Sequence, residues 1–259
     1  MLKDITIGQY FPGSSPVHRM DPRFKIIMTL LFIAMLFMGQ HLYSILFGVV
    51  FCILALSFSK IPVRLIWKSI KPLIPVLMIT AVLDLLMVDS GDVYWKWHFL
   101  KLTEGGVRTA ILMVTRIIVL LAGSSLLTYT TSPIALTDAI ERLLSPLKKL
   151  HVPVHTFAMM MTISLRFIPT LLEETDKIMK AQIARGADFE NGNLIQKAKN
   201  MVPLLVPLFI SAFRRANDLA MAMEARCYHG GDNRTQMKPL HYESRDYISY
   251  VVMWAYLGI

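Results

Sequence analysis

Two short stretches carry the side chains best suited to recognition chemistry, AQIARG at 181–186 and AMEARC at 222–227. They align as Ala-x-x-Ala-Arg followed by a small residue, and each closes a long helix-forming run. Arginine offers a rigid planar fork of donors that pairs with a carboxylate through two bonds. One such residue at a helix end is ordinary, because a cation there meets the negative end of the dipole, worth roughly 0.3–1 kcal/mol. Two matched copies point instead to two similar partner sites.

Other chemistry is sparse. His151, His155 and His229 have no H-E-x-x-H, G-x-S-x-G or clustered acids around them, and HVPVH at 151–155 reads as a helix-start turn. No spacing of Cys, His, Asp and Glu suggests a metal site, and Cys52 and Cys227 give no disulfide framework. The chain has no G-x-x-x-x-G-K-[ST] phosphate-binding loop. Asp84 and Arg116 lie inside apolar runs. They are expected to pair across adjacent antiparallel helices, or Arg116 to snorkel, rather than to form a proton pathway.

The elements that position the two arginines follow from composition. The chain is 54% hydrophobic and 17% charged, with mean hydropathy +0.50, which indicates a membrane protein. The polar start shows no secretory cleavage pattern, so the first apolar stretch is expected to stay in the mature protein. Spans are expected near 24–39, 42–59, 72–88 and 107–128, forming an N-terminal membrane part over 1–130, with a last span in 244–259. The segment 60–71 carries Lys60, Arg64, Lys68 and Lys71 without an acid, whereas 89–106 holds Asp89, Asp92 and Glu104 with Tyr94, Trp95 and Trp97 as an interfacial aromatic belt. The positive-inside rule then places the N-terminus and everything from about 130 to 245 in the cytoplasm. The net charge of +9 reflects such basic loops rather than nucleic-acid binding.

Residues 131–243 read as a cytoplasmic domain of one short helix near 133–150 and two long ones near 154–186 and 194–229. Ser132 and Pro133 open the first, Gly186 stops the second, and Pro169, Pro203 and Pro207 bend rather than end the long pair. Each long helix is apolar first and charged later, a rod running from the membrane boundary into the cytosol. Consecutive helices joined by a short turn run antiparallel or cross, so the arginines should lie at opposite extremities. The fold class expected is all-α, a polytopic membrane protein with about five transmembrane helices and two long crossing helices. Met159, Met160, Met161, Met221 and Met223 either fill core gaps or form an adaptable docking surface.

These features together resemble the transmembrane subunit of energy-coupling factor (ECF) transporters, the EcfT/CbiQ family. SPVHRMDPRFK at 15–25 is similar to that family's Ser-x-x-His-x-Leu-Asp-Pro-Arg-x-Lys signature, through His18, Asp21, Pro22 and Arg23, with Met20 in place of Leu. Ala184-Arg185-Gly186 is similar to its first Ala-Arg-Gly motif, and Ala225-Arg226-Cys227 to the second, with Cys227 where glycine is usual. The resemblance implies a non-catalytic scaffold in the plasma membrane of a prokaryote. Each arginine tip would insert into one of two ABC-type ATPase subunits, which use the ATP and magnesium, and the chain itself would bind no cofactor. A membrane S-component, binding a vitamin or other micronutrient, would dock on the apolar halves of the coupling helices, with Met159, Met160, Leu165, Leu204 and Leu208 as candidate facing residues. Arg226 is expected to dock despite Cys227, with the helix continuing to Tyr228. The alternatives are a self-sufficient secondary transporter, although no repeat appears among the spans, and a membrane-embedded enzyme.

Overall fold

The computed structural model describes residues 10–39, 42–88, 93–97, 100–187, 189 and 193–230. They fall into two compact units, one within Gly8–Leu136 and one within Thr137–Pro239. The expected span in 244–259 lies outside the described residues.

The first unit opens with a single helical turn, α1 (Pro16–Arg19), capped by Ser15, and then α2 (Pro22–Met38), capped by Asp21. Pro at the first helical position suits both starts, since its missing N–H is one that a helix start leaves unpaired anyway. α3 (Leu42–Ser59) is the next helix. The basic 60–71 segment, read as a loop, is largely helix: α4 (Val63–Ile70) buries Ile66 and Ile70 and exposes Arg64, Trp67 and Lys68. The i, i+4 spacing of the two isoleucines makes it amphipathic. Pro72 and Pro75 then carry the chain through a 3-10 turn into α5 (Ile74–Met87). Helix from Val63 to Met87 is therefore nearly continuous, where only 72–88 was expected.

Two antiparallel strands, β1 (Val93–Trp97) and β2 (Leu100–Thr103), pair with Trp95 opposite Leu102 and Trp97 opposite Leu100. This hairpin occupies the expected external loop and is the departure from an all-α chain among the described residues. The side chains of the expected aromatic belt lie outside the description. Thr103 joins hairpin to helix: its hydroxyl donates to the Val88 carbonyl at 2.6 Å and accepts the Gly106 N–H at 3.1 Å, capping α6 (Glu104–Thr130).

α6 packs against α2, α3, α4 and α5. The buried cluster is Phe32, Leu36, Cys52, Ile66, Ile70, Val119 and Ala122. Gly123 allows this packing, because a Cβ there would meet the Phe32 ring at 2.5 Å. Outward, large apolar side chains such as Leu30, Phe37, Leu46 and Ile79 are exposed, as a lipid-facing surface requires. By length and apolarity three helical stretches can cross a membrane: Val63–Met87, Glu104–Thr130 and Val154–Ala184. The third was expected in the cytoplasmic domain. Its apolar part is the first half, since its acids begin at Glu173.

The expected Asp84–Arg116 pair does not form. Asp84 sits level with Gly106, whose Cβ would meet the Asp84 carbonyl at 3.3 Å. Arg116 lies ten residues further along α6, about 15 Å away by helical rise. Its guanidinium instead donates to the Gly39 carbonyl at 2.6 Å, closing the C-terminal end of α2. Arg116→Met is expected to destabilise the chain by about 1.5–3 kcal/mol, the range for a hydrogen bond to a charged group, read as a lower melting temperature in detergent. An unchanged melt would remove this bond from the account.

The second unit begins with α7 (Pro133–Leu143), which starts just before the boundary; the Ser132 hydroxyl accepts the Ala135 N–H at 3.3 Å. The helix expected to reach 150 stops at Leu143, and a 3-10 segment over Ser145–Leu150 carries Pro146 instead. His151 then takes a left-handed conformation, φ 60°, and His155 pairs with Glu141 at 2.7 Å. HVPVH is thus a turn, as read. The long helices α8 (Val154–Ala184) and α9 (Leu194–Ala225) keep their internal prolines.

Candidate functional site

Both arginine motifs occupy the same backbone geometry. α8 ends at Ala184, Arg185 is its C-cap, and Gly186 turns left-handed at φ +87°. The Gly186 N–H reaches the Ile183 carbonyl at 2.9 Å and the Ala187 N–H reaches that of Gln182 at 3.0 Å. α9 ends at Ala225, Arg226 is its C-cap, and Cys227 turns left-handed at φ 54°. The Cys227 N–H reaches the Glu224 carbonyl at 2.8 Å and the Tyr228 N–H reaches that of Met223 at 3.0 Å. These are two copies of one Schellman cap, which satisfies terminal carbonyls with the chain's own amides and turns it sharply away. The arginine is the last residue before the turn in each. Arg185, Gly186, Arg226 and Cys227 are all exposed, as are Ala184 and Ala225.

The expected extension of α9 to Tyr228 is therefore corrected: the helix stops three residues earlier, and Cys227 does what glycine does at Gly186. A side chain in that conformation carries a steric penalty of about 1–2 kcal/mol. Cys227→Gly is expected to stabilise this end by about 1 kcal/mol and slow amide exchange at Tyr228 roughly fivefold. Equal or faster exchange would show that the thiol side chain supports the turn.

Three contacts set the direction of the helix pair. Gln182 donates its amide to the Pro203 carbonyl at 3.4 Å. That carbonyl would ordinarily bond the N–H four residues on, but Pro207 has none. Glu174 accepts from the Ser211 hydroxyl and, at 2.8 Å, from the Arg215 guanidinium. The Tyr228 hydroxyl donates to the Met159 sulfur at 2.9 Å. Residue numbers rise on one helix as they fall on the other, so the pair is antiparallel. Arg226 lies near the level of Met161, and the tips are on the order of 35 Å apart along the pair by helical rise.

The candidate facing residues divide. Met160 is 48% exposed, Met159 is half-buried against Tyr228, and Leu165 and Leu208 are half-buried. Leu204 is buried, 5% exposed, and presents nothing outward. The exposed apolar stripe of α9 runs one position later, through Met201, Leu205, Phe209 and Phe213 with Val202, Val206 and Ile210 beside them. Its i, i+4 spacing was visible in the sequence; what was missing was the face that α8 covers.

His18, Asp21, Pro22 and Arg23 build an elbow far along the chain from the tips. The His18 ring donates from Nε2 to the Phe11 carbonyl at 2.9 Å and meets the Ser15 hydroxyl at 2.6 Å through Nδ1. Asp21 accepts the Arg23 N–H at 2.8 Å and holds its guanidinium at 2.7 and 3.1 Å, with its own side chain 1% exposed. Lys25, the last residue of the SPVHRMDPRFK stretch, is the further member. Its buried ammonium donates to the Thr130 carbonyl at 3.0 Å and the His18 carbonyl at 3.2 Å. A lysine at the C-terminal end of α6 meets both the unpaired carbonyls and the negative end of the dipole.

Fold and tips together define a polytopic helical membrane protein carrying an antiparallel pair of arginine-ended rods. The CbiQ family, described as cobalt transport protein, is matched over residues 13–237. The chain is 56% identical to the energy-coupling factor transporter transmembrane protein EcfT of Clostridium kluyveri, covering 96% of this chain and 93% of that one. It is 52% identical to EcfT of Acidaminococcus fermentans, over 98% and 95%. Against EcfT of Bacillus subtilis it is 46% identical, over 99% and 98%. The chain belongs to the EcfT/CbiQ family, the transmembrane component of ECF transporters.

Proposed function

We propose that this chain is the energy-coupling scaffold of an ECF-type importer for a vitamin or other micronutrient. The observation that carries this reading is the pair of identically capped, exposed arginines at opposite ends of one antiparallel helix pair. Two equal tips call for two equivalent sockets, as two ABC-type ATPase subunits would present. The ATPases use ATP and magnesium; this chain binds no cofactor of its own. The stripe along Met201, Leu205, Phe209 and Phe213 offers an apolar docking face to a membrane S-component. The acid-free basic segment 60–71 supports an orientation with the N-terminus and coupling helices in the cytoplasm of a prokaryotic cell.

In this mechanism the rigid caps transmit force. Closure of the ATPase pair displaces each arginine, the rungs at Glu174, Gln182 and Met159 keep the helices in register, and the movement reaches the apolar halves. Affinity purification of the tagged chain from its own cells tests the assembly. Two ATPase subunits and an S-component should elute with it. Uptake of substrate by the chain alone in vesicles would overturn the reading in favour of a self-sufficient transporter.

A further inference from the structure

The N-terminal unit contains a cavity of about 530 Å³. α2 from Phe24 to Phe32, α3 from Phe51 to Phe58 and α6 from Gly123 to Thr130 form its walls, and residues of α1 close one end. Each wall is two helical turns, so the cavity is about 10–12 Å long. Its lining is apolar, the Cys52 thiol and the Met20 and Met28 thioethers included, apart from Lys25, Thr29 and Thr130. All three are already engaged: Lys25 with the His18 and Thr130 carbonyls, Thr29 with the Lys25 carbonyl at 2.8 Å, and Thr130 with that of Leu126 at 2.7 Å. No lining group calls for water, so the occupant is apolar.

Two lining residues show where it opens. Leu54 and Phe58 are 51% and 62% exposed, on the outward side of α3. Two residues beyond Phe58 the chain reaches Lys60, exposed and held at φ 54°. A lysine where glycine would be unstrained suggests that the charge is wanted there. Arg19, also exposed, adjoins Met20 of the lining. Between Tyr10 and Asp84 the sole acid is Asp21, and it is tied to Arg23. The stretch from Tyr10 to Leu83 thus gives the mouth two exposed cations and no carboxylate that is not already paired.

We propose that this cavity and its rim form a site for an anionic phospholipid. One acyl chain enters beside Leu54 and Phe58, and the phosphate sits against Lys60 and Arg19. A protein segment would fill the groove without using the rim charges, and a neutral lipid would use only the cavity.

The test uses the full chain purified in detergent. It is loaded with equal amounts of phosphatidylglycerol and phosphatidylcholine of identical acyl chains, and retained lipid is counted by native mass spectrometry. Phosphatidylglycerol should be retained at least fivefold over phosphatidylcholine. Lys60→Gly and Arg19→Gln should each lower that preference by about fivefold, the ratio for about 1 kcal/mol per cation at an anionic lipid surface. Both positions are exposed, and Lys60→Gly relieves rather than strains the backbone, so these variants fold whatever happens at the cavity. Ala55→Trp, which fills the cavity, should release both lipids. Equal retention of the two lipids, an unchanged preference in the Lys60→Gly/Arg19→Gln variant, or full retention in folded Ala55→Trp would overturn the site.

Discussion

Replacing Arg185 and Arg226 together with glutamate should abolish association with the ATPase subunits while leaving this chain folded. The second half of that expectation comes from the caps. Every bond that closes the two helix ends is made by backbone atoms, Gly186 and Ala187 at one end and Cys227 and Tyr228 at the other. Reversing an exposed side chain costs the helix only its dipole interaction, roughly 0.3–1 kcal/mol. The first half follows from the chemistry of a desolvated charge pair, where truncating one partner costs about 2–5 kcal/mol. Each single reversal should then weaken association by about 30-fold or more. The tips lie far apart and share no partner, so their effects should add. Co-elution of the ATPases with the tagged double variant, against an unchanged melting temperature, is the measurement. ATPases still bound at wild-type stoichiometry would remove the arginines from the coupling mechanism.

Asp21→Ala should be the most destabilising single substitution in the N-terminal elbow. Asp21 caps α2, and its buried carboxylate holds the Arg23 guanidinium, itself 12% exposed. Removing one member of a buried ion pair typically costs about 3–5 kcal/mol, because the other charge stays desolvated. The lost cap adds about 1 kcal/mol. Asp21→Asn should fall between, since its amide oxygen still caps the helix but pairs poorly with the guanidinium. Thermal unfolding in detergent orders the three proteins, and a melt for Asp21→Ala within error of the parent would show that the pair contributes nothing net. The double variant Asp21→Ala/Arg23→Met should recover part of the loss, because it leaves no unpaired charge behind.

The arginine tips and the membrane helices could be read from local pattern. Apolar runs mark spans because the bilayer core requires them, and a small residue after Ala-Arg marks a helix stop. Four features could not be read that way. The left-handed turn at Cys227 contradicts local preference and follows from the cap that Tyr228 and Met223 complete. The helix over 63–70 looked like a loop because its charges suggested exposure; two isoleucines four apart, Ile66 and Ile70, were the available signal. Leu204 and the exposed stripe beside it differ only in which face meets α8, a fact of tertiary packing. Lys25 looked like the charged end of a span, yet its ammonium is taken up by the His18 carbonyl and by the Thr130 carbonyl, 105 residues away.

That last contact sets an order of manufacture. The Thr130 carbonyl is synthesised 105 residues after Lys25. A chain emerging from the ribosome therefore inserts α2 with only the His18 carbonyl at hand for the ammonium, before the second carbonyl that receives it exists. Until α6 is complete the lysine must keep to the water side of the bilayer, and α2 has no fixed depth. The contact that ties α2 to α6 can form only late, once α6 is complete. A nascent chain arrested before Thr130 is thus an unfinished assembly, however many of its helices already cross the membrane.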